Sequence, residues 1–159
     1  MLLDVLRRLK RLENLVPWTS GGGGGAFARG WAEHLANSVH SGVPTIIVSK
    51  TLTPTATGKF RIIVTGSAEG GGDGGPDQFT LSISNGAGAT PAIYTSNAVF
   101  TSHDNSEAVG VCLVVDLDQL GAPVTYPLHT PVQFNAVAEY SGTNDPATVV
   151  LQMEIQEVP

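Results

Sequence analysis

The segment ATVVLQMEIQEV, residues 147–158, alternates apolar and polar side chains almost without a break. Val149, Leu151, Met153 and Ile155 take one phase, and Gln152, Glu154 and Gln156 take the other. Only an extended backbone lays every second residue on one face; a helix would scatter the four apolar residues around its axis. The same period recurs in DQFTLSIS, where Phe79, Leu81 and Ile83 oppose Gln78, Thr80, Ser82 and Ser84. It recurs again in PVQFNAVAEYS, with Val132, Phe134, Ala136, Ala138 and Tyr140 in phase. Several half-buried strands in one chain must cover one another's apolar faces, which is what two packed sheets do.

The remaining strand signals lie between residues 43 and 118. TIIVSKTLT and KFRIIVTGSA flank PTATG, a five-residue turn with Pro and Gly, and read as a hairpin. PAIYTSNAVF is a weaker strand region. AVGVCLVVDL is apolar in both phases and is expected to be a central strand covered on both sides. Seven or eight strands with turn-rich gaps and no long helical stretch predict an all-β domain, an antiparallel β-sandwich of jelly-roll type, over 43–159. Charged residues are only 14% of the 159, so its surface is rich in hydroxyls and amides.

The N-terminus follows a different period. Leu2, Val5, Leu9, Leu12 and Val16 are spaced 3, 4, 3, 4, the seam of a heptad helix, and Pro17 stops it. Such a helix is about 24 Å long. It is marginal alone in water, so its leucines need copies of themselves or another protein. Residues 1–17 therefore read as an anchoring or oligomerisation helix. Residues 18–42 read as a glycine-rich tether and an irregular segment in which Trp31 is an apolar anchor. The five glycines at 21–25 span about 12 Å as a random coil, so the β domain stays close to whatever holds the helix.

Charge is unevenly placed. Residues 1–11 carry Arg7, Arg8, Lys10 and Arg11 against Asp4, a net +3, and the remaining 148 residues carry four basic against thirteen acidic side chains, a net −9. The main body thus lacks the footprint of a nucleic-acid binder, while the short basic end suits an acidic protein surface, an anionic membrane or nucleic acid. No run reaches the length of a membrane span, and charges interrupt the apolar N-terminus, unlike a signal peptide. Cys112 is the single cysteine and is expected to be a buried, inert thiol.

Few constellations carry chemistry. EGGGDGGPD offers Glu69, Asp73 and Asp77 on a glycine-rich loop, the kind of oxygen set calcium takes, but the calcium-binding nonapeptide would need an aspartate where Pro76 stands. A solvated loop is the simpler reading. His103, Asp104 and Asn105 form a polar turn, and Asp116 and Asp118 share a face if their strand continues through them. His34 and His40, six residues apart, do not chelate one ion on a helix or a strand without a fold-back. Phosphate-loop and G-x-S-x-G patterns are absent from the sequence, no dinucleotide fingerprint with its glycine turn opening a helix occurs, and the glycine run lacks the Lys-Ser/Thr ending of a phosphate loop. The expectation is a protein without catalytic residues, metal or cofactor.

The order of parts, LLDVLRRLKRLENLV, a glycine tether, then a compact β domain, resembles bacteriophage virion proteins: head decorations, head fibres and short trimeric appendages of tails and collars. SGVPTIIVSKTLTPTATGKFRIIVTGSA looks like the opening hairpin of phage-borne β modules. The C-terminal strands resemble the trimeric jelly rolls of tumour-necrosis-factor-like and complement-globular-head domains. The resemblance implies a homotrimer working in the virion, docked through its helix on a capsid, portal or tail protein. A receptor- or glycan-binding module at a fibre tip is the alternative, with Tyr94, Tyr126 and Tyr140 as candidate aromatics.

Overall fold

A computed structural model describes residues 27–31, 38–69, 78–96, 99–100, 109–142 and 147–159. The heptad residues Leu2, Val5, Leu9, Leu12 and Val16, and the basic patch Arg7, Arg8, Lys10 and Arg11, lie outside the described residues, as do Pro17 and the glycine run. The described chain is all-β. Its strands are β1 (Phe27–Trp31), β2 (Ser38–Val39), β3 (Thr45–Leu52), β4 (Phe60–Glu69), β5 (Gln78–Asn85), β6 (Ala92–Thr95), β7 (Val99–Phe100), β8 (Val109–Asp116), β9 (Val132–Ser141) and β10 (Ala147–Glu157). One 3₁₀ turn, Leu117–Gln119, follows β8.

The strands form two antiparallel sheets. Sheet 1 runs β1-β10-β4-β8, with β2 continuing along the β10 edge that β1 occupies. Sheet 2 runs β3-β9-β5-β6, with β7 continuing along the same edge of β5. The pairs are nested in sequence: β1 with β10, β3 with β9, β4 with β8, β5 with β6 and β7. The chain is thus one long ribbon folded back on itself near 86–91 and then rolled into two layers. Burying both inner faces is what removes their apolar side chains from water.

The period-two patterns place the core as the sequence predicts. Val149, Leu151, Met153 and Ile155 of β10 are buried, and so are Phe79, Leu81 and Ile83 of β5. Phe134, Ala136, Ala138 and Tyr140 of β9 join them. Near one end of the sandwich Phe60 of sheet 1 meets Phe134 of sheet 2 edge-on, with ring centroids 5.3 Å apart, and Tyr126 packs on both. These edge-to-face contacts favour one relative placement of the two sheets beyond what burial alone requires.

Three expectations are corrected. β3 and β4 are not a hairpin: β3 pairs with β9 in sheet 2, whereas β4 lies between β10 and β8 in sheet 1. Residues 53–59 carry the chain from one sheet to the other. β8 is not a doubly covered central strand but ends the order of sheet 1 among the described residues. Its burial alternates strictly, with Val111, Leu113 and Val115 inside, and Cys112 and Val114 outside. Apolar character in both phases does not by itself supply a second covering layer. Finally, the stretch expected to be irregular contributes β1 and β2, and Trp31 is opposite Gln152 in an antiparallel register. Sheet 1 therefore includes chain N-terminal to residue 43.

The sandwich has two distinct ends. At the Phe60 end lie the start of β1, the link 53–59, the turn 86–91, the long connection 117–131 and residues 157–159. At the Glu69 end lie the strand ends Glu69, Gln78, Phe100, Val109, Ser141 and Ala147. The link 53–59 and the connection 117–131 are tied together by Tyr126 N–H donating to Gly58 O and His129 N–H donating to Pro54 O, at 2.8 and 2.9 Å.

Candidate functional site

Two polar centres and one open face stand out. The first centre is built by the link between the sheets. A chain that leaves one ladder and has not joined the next has backbone N–H groups that need partners. Here the partner is Glu157, at the end of β10, a residue only 6% exposed. Its Oε1 accepts N–H bonds from Ala56, Thr57 and Gly58 at 3.0, 2.6 and 2.7 Å. Its Oε2 accepts from the Thr55 amide at 3.0 Å and the Thr55 hydroxyl at 3.3 Å. Thr57 Oγ1 donates to Val158 O, which fastens the strand end a second time.

Gly58 is required in this turn. Its φ is +68°, and an ideal Cβ there would sit 2.0 Å from the Tyr126 carbonyl oxygen. A side chain would be strained by the backbone angle and blocked by the connection packed against it.

The second centre is Asn135 in the middle of sheet 2, fully buried on the side away from the core. Its Nδ2 donates to Ser84 Oγ, Gly86 O and Gly88 O, and its Oδ1 accepts from Ser49 Oγ and Gln133 Nε2. Ser84 Oγ donates in turn to Gly88 O at 2.7 Å. The turn at 86–91 is therefore folded back over the outer face of sheet 2 and pinned there.

Among the described residues the outer face of sheet 1 is open. Ile63 of β4 pairs with Val114 of β8, and Thr65 pairs with Cys112. Val114 is 57% exposed, and Cys112 is exposed, which corrects the expected burial of its thiol. An edge strand reading VGVCLVVD carries neither lysine nor proline to discourage pairing with another chain. Charge is concentrated toward the Phe60 end, where Arg61 and Asp116 form a two-pronged ion pair at 2.7 and 2.9 Å. The guanidinium's hydrogen bond holds the Asp116 carboxyl below the usual aspartate range, and the same bond raises Arg61.

The other sequence candidates separate as follows. Asp116 and Asp118 are not a strand-face pair, since β8 ends at Asp116 and Asp118 lies in the 3₁₀ turn. Glu69 ends β4, while Asp73, Asp77, His103, Asp104, Asn105 and His34 lie outside the described residues. His40 is exposed. Tyr140 is buried and stacks near Phe79, and Tyr94 and Tyr126 also pack against the core. None of the three forms an exposed aromatic platform. Burial pushes the Tyr126 phenol up, while the Asn85 amide that donates to it pulls the other way. Among the described residues no three His, Cys, Asp or Glu side chains come together, and no helix is long and apolar enough to cross a membrane.

Sequence reasoning passed over Glu157 and Asn135. A signal existed for Glu157: it continues the odd-numbered phase of Val149 to Ile155, so a carboxylate falls where the core phase predicts an apolar residue. For Asn135 there was none, because its phase is outward and its cover comes from a turn distant in sequence.

No family model matches the sequence, and no curated protein does. Among solved structures the chain is similar to one described as the crystal structure of dimeric latent PorU from Porphyromonas gingivalis, at 9% identity and a TM-score of 0.43. The match covers 82% of this chain and 12% of that one.

Proposed function

We propose that this chain is a non-enzymatic structural protein of a virion, a bacteriophage head-decoration or fibre protein. Its N-terminal helix anchors it, and its β domain projects outward as part of a homotrimer. The observation that carries this reading is the polarity of the sandwich. β1 enters at the Phe60 end, and the strand ends Glu69, Gln78, Phe100 and Val109 lie at the opposite end. An anchor joined through a short glycine tether to Phe27 holds the first end close and leaves the second facing away.

Two further features support it. Counting β6 and β7 as one interrupted strand and leaving out the two-residue β2, the nested pairs support reading the sandwich as a jelly roll. Viral capsid proteins and lectins both use that architecture, although a fold alone does not fix a function. The outer face around Ile63, Thr65, Cys112 and Val114 is partly apolar, with Glu154 of β10 opposite Ile63, and it suits contact with a second copy of the chain. In a trimer three weak helices act together on one assembly, which turns marginal contacts into an avid one. Arg7, Arg8, Lys10 and Arg11 then meet an acidic surface on a capsid, portal or tail protein.

The test is the mass in solution by light scattering together with binding to particles. The expected results are three times the chain mass of 16.5 kDa, and loss of particle binding when residues 1–16 are deleted. A monomeric mass, or undiminished binding by the shortened protein, overturns the proposal. The competing glycan-binding reading is weakened by the packing of all three tyrosines, and a reproducible glycan-array hit would restore it.

A further inference from the structure

We infer that the turn at residues 55–58 is a carboxylate-binding nest, and that Glu157 is its built-in ligand. Four consecutive amides, those of Thr55, Ala56, Thr57 and Gly58, point at one carboxylate, and the Thr55 hydroxyl adds a fifth donor. Successive amides converge on one point only in a nest conformation, which concentrates their partial positive charge and favours an anion. The left-handed Gly58 closes the run.

The turn has no ladder of its own. It joins β3 in sheet 2 to β4 in sheet 1, so its amides have no strand opposite them. A carboxylate accepts all of these donors at once, which no neutral side chain does: a carboxamide presents one oxygen and one N–H₂. Glu157 and Gly58 are buried while Thr55 and Ala56 reach solvent, so the bonds at the Gly58 side gain most from the low dielectric around them.

The carboxylate therefore acts as a ligand carried on β10 rather than as a packing element, and a free carboxylate of similar size fits the same donors. It also explains why the Phe60 end is ordered as a unit. Glu157 fixes the link, and the link in turn receives the Tyr126 and His129 amides of the long connection.

The experiment uses the full chain carrying Glu157→Ala, with thermal unfolding followed in acetate, in formate and in chloride at equal ionic strength. The expected result is a lowered Tm that climbs with the logarithm of acetate or formate concentration, as site binding to the folded state requires. The wild type, with its nest filled, shows no such carboxylate-specific climb. Hydrogen exchange supplies the second readout on Glu157→Gln, which keeps the side-chain shape. Amides 55–58 are expected to lose about tenfold or more of their protection, while amides in the centre of β4 and β9 keep theirs. If Glu157→Ala does not fold alone, folding induced by acetate or formate but not by chloride supports the inference. Equal response to all three salts, or undiminished protection of 55–58 in Glu157→Gln, overturns it.

Discussion

Asn135 sits at the centre of sheet 2 with both ends of its amide engaged, and it shows how a protein with few charges fixes a turn. The carbonyls of Gly86 and Gly88 and the hydroxyl of Ser84 all take donors from its Nδ2. Replacing it by leucine, close in volume, removes that donor, and at Ser84 the loss falls in a buried site. The expected loss is about 2–4 kcal/mol, read as a lower urea midpoint at unchanged m. The exposed Arg61–Asp116 pair is a different case. Because Asp116 is lowered in the folded state, the pair adds stability above the ordinary aspartate pKa and loses it as pH falls toward the folded value. The effect is small and shrinks with added salt, since both groups reach solvent. Replacing Asp116 by asparagine should therefore flatten the acid limb of the stability–pH curve only slightly. Tyr126 works at the other extreme of pH. Its raised pKa means that stability is fully present below the ordinary tyrosine value and is lost as pH rises through the folded one. An ultraviolet titration should find a tyrosinate step above the ordinary tyrosine range that is smaller by one phenol in the Tyr126→Phe protein.

At the scale of elements, β10 and β8 belong to the same sheet and differ in what covers them. β10 lies between β4 on one side and β1 and β2 on the other, and Met153 in its middle has no exposure. Truncating Met153 to alanine should cost about 2–5 kcal/mol through lost contact and cavity formation. Truncating Val114, 57% exposed on β8, should move the stability of the isolated chain by no more than about 0.5 kcal/mol. The two values together check the assignment of β8 as an edge strand, because a covered central strand would give both positions a large cost. Gly66 tests the fit between β4 and β10 directly. An ideal Cβ there would lie 1.9 Å from the Val150 carbonyl oxygen. Gly66→Ala should push the two strands apart and cost about 1–3 kcal/mol, with loss of exchange protection along β10.

For the whole molecule, the open face of sheet 1 links stability to assembly. Val114→Glu puts a charge into the middle of that face, beside Ile63. If the face is where copies meet, the mass in light scattering falls to that of a single chain while the thermal transition of the β domain survives. A trimer that persists with Glu at 114 moves the contact elsewhere. Two levels of order are thus separable: the rolled ribbon holds each chain together, and the face it leaves uncovered is what remains for a neighbour.

Sequence alone determined the fold class and the core phase of the regular strands. Alternation is a property of neighbouring residues, and the pleat translates it directly into a buried and an exposed side. That is why Leu151, Met153, Phe79 and Phe134 could be placed inside from their spacing. The tertiary structure decided which strands pair, whether a face is covered, and where polar groups find partners. The hairpin expected around PTATG failed because the partners of β3 and β4 lie 79 to 97 residues away, in β9 and β10. The apolar outer phase of β8 looked like core because hydrophobicity records a need for cover, not the chain that supplies it. Glu157 and Asn135 were missed for the same reason: the amides and carbonyls that make them stable inside belong to distant turns, and only folding brings these together.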